Sequence, residues 1–315
     1  MLSVGECLGI EVPVLQAPIG SASSPELVAA VSNAGGLGML AGTWLTPAEL
    51  RDAILKIKQS TAKPFAVNLG VHAAPAEKIE LCLDCGVPVI SLFWGDARNY
   101  FQLIKRRNAK VVATVGNPAE ASDAEDAGAD VVIAQGFEAG GHIWGKLSLA
   151  ALIPEVCDKV KRAAVIAAGG IGDGRGIAAA MQLGATGACL GTRFVLASES
   201  LAHPVYQQAL IQATAEDTFY GEVFSLGWPN APHRVLVNST VRAYLEHGVS
   251  KFDEAVAYTE DGTTIPRLSC RLPTRNMSGG IEEMALYAGL SVGLCRKRQP
   301  AAEIVRELLA EASHC

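Results

Sequence analysis

Charge is scarce in this chain: Asp, Glu, Lys and Arg together make up 18% of its 315 residues, with a net charge of −6. That balance gives no electrostatic attraction toward nucleic acid, whose binding rests on clustered cations. The dense basic runs, Lys105-Arg106-Arg107 and Arg296-Lys297-Arg298, read as solvated helix ends, where cations are favoured. Long apolar runs are missing too. No segment approaches the roughly 20 apolar residues needed to span a bilayer. The start, Met1-Leu2-Ser3-Val4-Gly5-Glu6, lacks the charged and apolar regions of a signal peptide, so a cytoplasmic setting is expected. The eight cysteines are scattered, which does not suggest a disulfide framework. Cys82 and Cys85 form a CxxC inside a helix-like stretch, not at a helix start where a redox motif has its thiol activated. No HxH, HExxH or spaced Cys/His set points to a metal, and no hydrolase nucleophile elbow is expected.

What is present is apolar residue, at 50%, and 32 glycines. Such a composition argues against disorder and suits an α/β enzyme with many tight turns, as one large barrel or two smaller domains. Eight short runs rich in Val, Ile, Leu and Ala recur over the first two-thirds: 14–17, 37–40, 65–69, 87–93, 110–115, 130–135, 164–168 and 187–190. They mostly lack strict alternation, as strands covered on both faces do. Between them lie amphipathic segments opened by Ser24-Pro25, Thr46-Pro47 and Asn117-Pro118, each an N-cap followed by proline at the first helical position. Eight strands alternating with helices predict a (β/α)8 TIM barrel. A doubly wound sheet would want Gly-x-Gly-x-x-Gly after the first strand, where this chain reads Ala17-Pro18-Ile19-Gly20-Ser21. The barrel is expected to occupy 1–197 and 276–315, with 198–275 a smaller helical region capping its mouth. Within that region 203–214 and 239–246 read as helices, and further on 283–292 and 300–312 do as well.

In such barrels working residues gather at strand C-terminal ends, and phosphates bind the loops after the seventh and eighth strands. Gly169-Gly170 follows the seventh run and Gly191-Thr192 the eighth. Bare backbone amides there would hold a phosphate-bearing cofactor, unless these glycines only make turns. Asn68 and Gln135, closing the third and sixth runs, can address a heterocycle edge or merely cap their turns. Ala17, Pro18 and Ile19 offer a backbone wall with small side chains. His142 is the sharpest candidate, because Gly140 and Gly141 form a flexible lead into an imidazole suited to general-base work near neutral pH. Its bland alternative is a turn histidine bonded to backbone. The other five histidines default to surface or lid roles, and Tyr220, Trp228, His233 and Ser291 are candidate wall members.

Several of these runs carry a family resemblance. Gln16-Ala17-Pro18-Ile19-Gly20, Ala134-Gln135-Gly136-Phe137-Glu138-Ala139-Gly140-Gly141-His142, Ala168-Gly169-Gly170-Ile171-Gly172-Asp173-Gly174 and Leu190-Gly191-Thr192-Arg193-Phe194 resemble nitronate monooxygenases, formerly called 2-nitropropane dioxygenases. FMN-dependent enoyl-acyl-carrier-protein reductases share these motifs. The resemblance implies a TIM barrel holding FMN non-covalently, its phosphate at Gly169, Gly170, Gly191 and Thr192. The rest of the flavin would meet Ala17, Pro18, Ile19, Asn68, Gln135, Gly140 and Gly141, with His142 facing the ring as the catalytic residue and no metal involved. The implied reaction oxidises an alkyl nitronate with O2 to a carbonyl compound and nitrite. The alternative is an FMN-dependent NAD(P)H reductase acting on an enoyl thioester or quinone; a flavin-binding protein without turnover is a third reading. A small-molecule substrate and O2 are the expected partners, without nucleic acid or membrane, and a homodimer is compatible with the family. Trp144, two residues past His142, departs from the family pattern and is expected to reshape the pocket.

Overall fold

The computed structural model describes residues 3–248 and 254–315. The apolar runs become strands because both their faces find cover. β1 (Val14–Gln16), β2 (Gly38–Ala41), β3 (Phe65–Gly70), β4 (Val89–Phe93), β5 (Lys110–Val115) and β6 (Val131–Gln135) are followed by a two-residue strand β7 (Gly141–His142), then β8 (Ala164–Ala168) and β9 (Gly187–Leu190). Apart from β7, neighbours pair in parallel around a ring, β2 through β6 and then β8, β9 and β1. A bridge between Leu15 and Leu37 joins β1 to the start of β2 and closes it. The fold is a TIM barrel, as the strand count predicts.

Two cores follow from the alternation of side chains along each strand. Leu15, Met39, Ala66, Val112, Val131 and Ile166 fill the barrel interior, while Val67, Ile90, Val111, Val132 and Val165 pack outward with the helices. A short helix, Val4–Leu8, plugs the end where strands begin, its Cys7 thiol donating to the Asp130 carbonyl at 3.3 Å. The proline-opened helices start where their caps predict. Ser24 and Asn117 accept from Leu27 and Glu120, and Thr46 with Glu49 forms a full capping box. The last helix, Ala301–Ala312, packs against Gly174–Gln182 and Pro25–Asn33. A Cβ on Gly174 would lie 2.4 Å from the Ala312 nitrogen, so glycine permits this approach.

Between the eighth barrel strand and the closing helix the chain builds over the mouth. The helices Pro204–Gln212 and Ser239–His247 form where apolar periodicity places them. This region also contains strands: β10 (Thr218–Gly221) and β11 (His233–Leu236) pair antiparallel, and β11 pairs with β7. Ala255–Tyr258, Thr264–Pro266 and Ser278–Gly279 make another small sheet. The helix expected over 283–292 does not form. Ile281–Glu283 and Leu290–Leu294 are 3-10 turns, and the chain between them is extended. Its backbone is taken up by β11: the Leu236 N–H donates to the Leu286 carbonyl at 2.8 Å and Ala288 N–H to the Arg234 carbonyl at 3.2 Å. Tertiary pairing overrides the helix propensity of Glu, Met, Ala and Leu there. Among the described residues no helix is long and apolar enough to cross a membrane.

Candidate active site

Parallel pairing brings every barrel strand's C-terminal end to one face, and the expected site residues come with it. Gly169 (φ 105°) and Gly170 (φ 68°) adopt the left-handed conformation that side chains disfavour. The loop 136–141 lies over them, with Glu138 Cβ only 3.0 Å from where a Cβ on Gly170 would sit. Gly191 is the close neighbour of the residues after β1: a Cβ there would be 3.7 Å from Ala17 Cβ and 3.8 Å from Ile19 Cγ2. Pro18 lies between those two residues and is half-buried. The N–H groups of Gly169, Gly170, Gly191 and Thr192 donate to no acceptor among the described residues. Thr192 is buried and the three glycines are part-exposed, and two converging sets of free N–H groups suit a phosphate. The Thr192 hydroxyl is already used, accepting the Gly289 N–H at 3.0 Å.

His142 stands on β7, which exists because β11 supplies a partner: His142 faces His233 and Gly141 faces Arg234. Two further clamps hold this loop. Gln135, at the end of β6, donates through Nε2 to the His142 carbonyl at 3.2 Å and accepts the Trp144 N–H at 2.9 Å. Arg234 reaches from β11 to the carbonyls of Ala139 and Phe137 at 3.2 and 2.8 Å, its guanidinium also lying over the Phe137 ring. Gly140 is pressed against the 288–289 backbone, where a Cβ would come within 2.4 Å of the Gly289 nitrogen; Gly141 faces open space. Asn68 is buried and donates to the Ser91 hydroxyl at 3.0 Å.

The His142 imidazole is enclosed by rings. Trp228 stacks on it at 4.0 Å, His233 and Tyr287 stand at 5.3 and 5.5 Å, and Trp94 meets it edge-on at 5.8 Å. Its Nε2 is inaccessible and has no partner among the described residues. Burial, with added repulsion from His233 and His72, pushes the His142 pKa down to about 3. The ring is therefore neutral at pH 7, an acceptor or donor rather than a cation. His233 is spent structurally: its Nε2 accepts the Phe224 N–H at 3.2 Å and its Nδ1 lies 2.9 Å from the Ala231 carbonyl.

All four tryptophans of the chain meet at this mouth. Residue order alone does not reveal that, though a signal exists. Trp44 lies just past the end of β2, His72 past β3 and Trp94 immediately after β4, at the end where barrels place their chemistry. Trp94 is also left-handed, with φ 66°; a bulky residue held there costs about 1–3 kcal/mol and tends to mark functional sites. Trp144 is fixed by its indole N–H, which donates to Glu120 at 2.8 Å. Arg234 has no sequence signal. Of the candidate wall residues, Trp228 and His233 reach His142, whereas Tyr220 packs on Phe137 and Ser291 lies against Gly172. The run Gly289-Leu290-Ser291-Val292-Gly293 does match Gly-x-Ser-x-Gly. It forms a 3-10 turn, and Ser291 is buried there without a histidine partner, so it is no nucleophile elbow. Among the described residues no cluster of His, Cys, Asp and Glu could hold a metal ion.

Comparison with known proteins agrees with this architecture. The family model for nitronate monooxygenase matches residues 3–77 and 70–311. The nitronate monooxygenase of Pseudomonas aeruginosa is 32% identical, with 96% of this chain and 97% of that protein covered. A (3aS,4S,5R,7aS)-5-hydroxy-7a-methyl-1-oxo-octahydro-1H-indene-4-carboxyl-CoA dehydrogenase of Mycobacterium tuberculosis is 40% identical over 77% of this chain and 68% of its own length. The structure of FabK from Thermotoga maritima superposes with a TM-score of 0.86 at 33% identity, covering 100% of this chain and 97% of that one.

Proposed function

The chain belongs to the nitronate monooxygenase family and is an oxidoreductase; from that premise we propose that it binds FMN and oxidises alkyl nitronates with O2. The observation that carries the reading is a neutral, unpartnered imidazole at the same mouth as two sets of undonated backbone N–H groups. The donor set fits a flavin phosphate, held by the N–H groups of Gly169, Gly170, Gly191 and Thr192. Ala17, Pro18 and Ile19 would flank it, and Asn68, Gly140 and Gly141 would border the ring; Gln135 would act by fixing the loop that carries His142. Bound FMN supplies the electron acceptor and the route to O2, which the protein's side chains lack.

His142 handles the proton. It hydrogen-bonds through Nε2, which has no competing partner among the described residues, a nitronate delivered as the anion. Burial makes it a weak base, so it takes the α-proton of a nitroalkane only where the bound anion raises its lowered pKa. The aromatic enclosure excludes water, which strengthens that contact. We assign 198–275 as the cap over the barrel formed by 1–197 and 276–315, since it brings Trp228 and His233 against His142. O2 and a small substrate are the only partners this reading requires.

A second reading, an FMN-dependent NAD(P)H reductase, is favoured by the likeness to FabK and to the mycobacterial dehydrogenase. One experiment separates the two. The purified protein should carry FMN, identified by absorbance and mass, and propionate 3-nitronate should bleach it anaerobically at a rate that NADPH does not approach. Bleaching by NADPH alone would select the reductase, and a protein that takes up no flavin would end both.

A further inference from the structure

Trp228 does not sit like a permanent core residue. Its indole lies between two imidazoles, 4.1 Å and 23° from His72 and 4.0 Å and 26° from His142. Around its edge stand Trp44 at 5.8 Å, Trp94 at 5.2 Å and Phe93 at 6.4 Å, all nearly perpendicular. The space Trp228 fills is thus a slot one ring thick, faced by two imidazoles and rimmed by aromatic edges. Such a slot suits a flat conjugated group, because stacked and edge-to-face contacts are both satisfied.

Two observations say that the indole holds this place without being built into it. Its Nε1 is buried with no acceptor among the described residues, whereas the neighbouring Trp144 indole donates to Glu120. Buried indole N–H groups in settled cores usually find a partner. Its loop holds it by few contacts. Gly227 (φ 100°) and Asn230 (φ 54°) flank a tip whose other members, Leu226 and Pro229, are exposed. The backbone pairing of the loop is made at Leu226, to Leu268 and Cys270, and Trp228 itself donates only to the Ser225 carbonyl.

We propose that Trp228 is a specificity-determining residue that occupies the substrate's place beside His142, so that the slot selects substrates bearing a planar conjugated or aromatic body. The assignment rests on the reading of this mouth as a nitronate-oxidising site and narrows its substrate class to aryl-bearing nitronates. Small alkyl nitronates cannot replace the stacking that the indole gives up when it leaves; an aryl group can.

The test uses the flavin-loaded protein and two nitronates of equal charge, those of phenylnitromethane and nitroethane. The aryl substrate should show a kcat/KM at least about tenfold higher, the scale of one or two lost ring contacts. In Trp228→Ala the competing ring is gone for both substrates, so KM should fall for both while the aryl preference, set by the two imidazoles that face the slot, is kept. Equal kcat/KM for the two nitronates overturns the proposal. So does a loss of aryl preference in Trp228→Ala, which would make the indole a fixed wall. A second readout needs no turnover: benzoate added to the wild-type protein should increase acrylamide quenching of tryptophan fluorescence, as Trp228 leaves the slot. If neither nitronate is consumed, the functional reading fails and the benzoate titration alone decides the slot, with unchanged quenching counting against it.

Discussion

In the wall of the barrel, the carboxylate of Glu125 accepts the N–H groups of Lys161, Arg162 and Ala163 at 2.9, 2.5 and 2.8 Å. At the mouth, His142 Nε2 and Trp228 Nε1 have no partner among the described residues. Burial works to raise the Glu125 pKa, but the three N–H donors and Arg162 outweigh it and hold the carboxylate below its usual range. Nothing comparable rescues His142, whose pKa falls because its surroundings are apolar. Left-handed backbone occurs at both ends of the barrel, at Gly86, Asn108 and Gly128 where wall helices end and at Trp94, Gly169 and Gly170 at the mouth, and of these only Trp94 is bulky. Gln299, before the closing helix, is also buried without a partner among the described residues; at the mouth, by contrast, the two unpaired atoms belong to rings that share one stack.

The sharpest way to break that contrast is His142→Ala. If the mouth serves chemistry rather than folding, turnover should drop about 10²–10⁴-fold, the usual worth of a positioned general base. The melting temperature should fall only by the loss of the imidazole's ring contacts, far less than turnover, because no hydrogen bond of Nε2 is lost. A parallel loss of fold and activity would show that the mouth is structural after all. The wall should answer in the opposite sense. Leu152 is fully buried between barrel and helices, so Leu152→Ala should cost about 2–5 kcal/mol of stability. Its kcat/KM at 25 °C should stay within about twofold, measured beside chemical denaturation. A selective loss of turnover in that variant would erase the distinction.

The same division governs what residue order can reveal. Wall strands are legible because burial on both faces forces short Val, Ile, Leu and Ala runs, and each observed strand falls within two residues of its apolar run. Helix starts are legible because Ser24, Thr46 and Asn117 are local caps. His142 and the glycine turns are legible because their chemistry sits in contiguous motifs. The slot is not, since residues 72, 94, 142 and 228 meet only through tertiary structure. β7 is two residues long and formed only by pairing with β11, which no local pattern announces. The 283–292 segment misleads for the same reason: its composition favours a helix, and its hydrogen bonds go to β11 and the 138–140 loop.

The smallest expected effect is a pH dependence that belongs to the mouth alone. Unfolded histidine titrates near 6.5, whereas folded His142 does so at about 3; burial lowers His72 and His233 in the same direction. Between those values the unfolded chain binds more protons, so stability is full above about pH 6.5 and falls as the solution is acidified toward pH 3. The wall behaves otherwise in the upper part of this window. Glu125 and Asp173 there have lowered pKa values and stay ionised in folded and unfolded chains down to about pH 5. Their contribution is lost only at lower pH. Wild-type melting temperature should therefore decline between pH 7.5 and 5, and His142→Gln, which cannot titrate, should decline by a few degrees less. Identical slopes for the two proteins would mean that His142 is hydrated and ordinary in solution, and that the enclosure seen at the mouth does not persist.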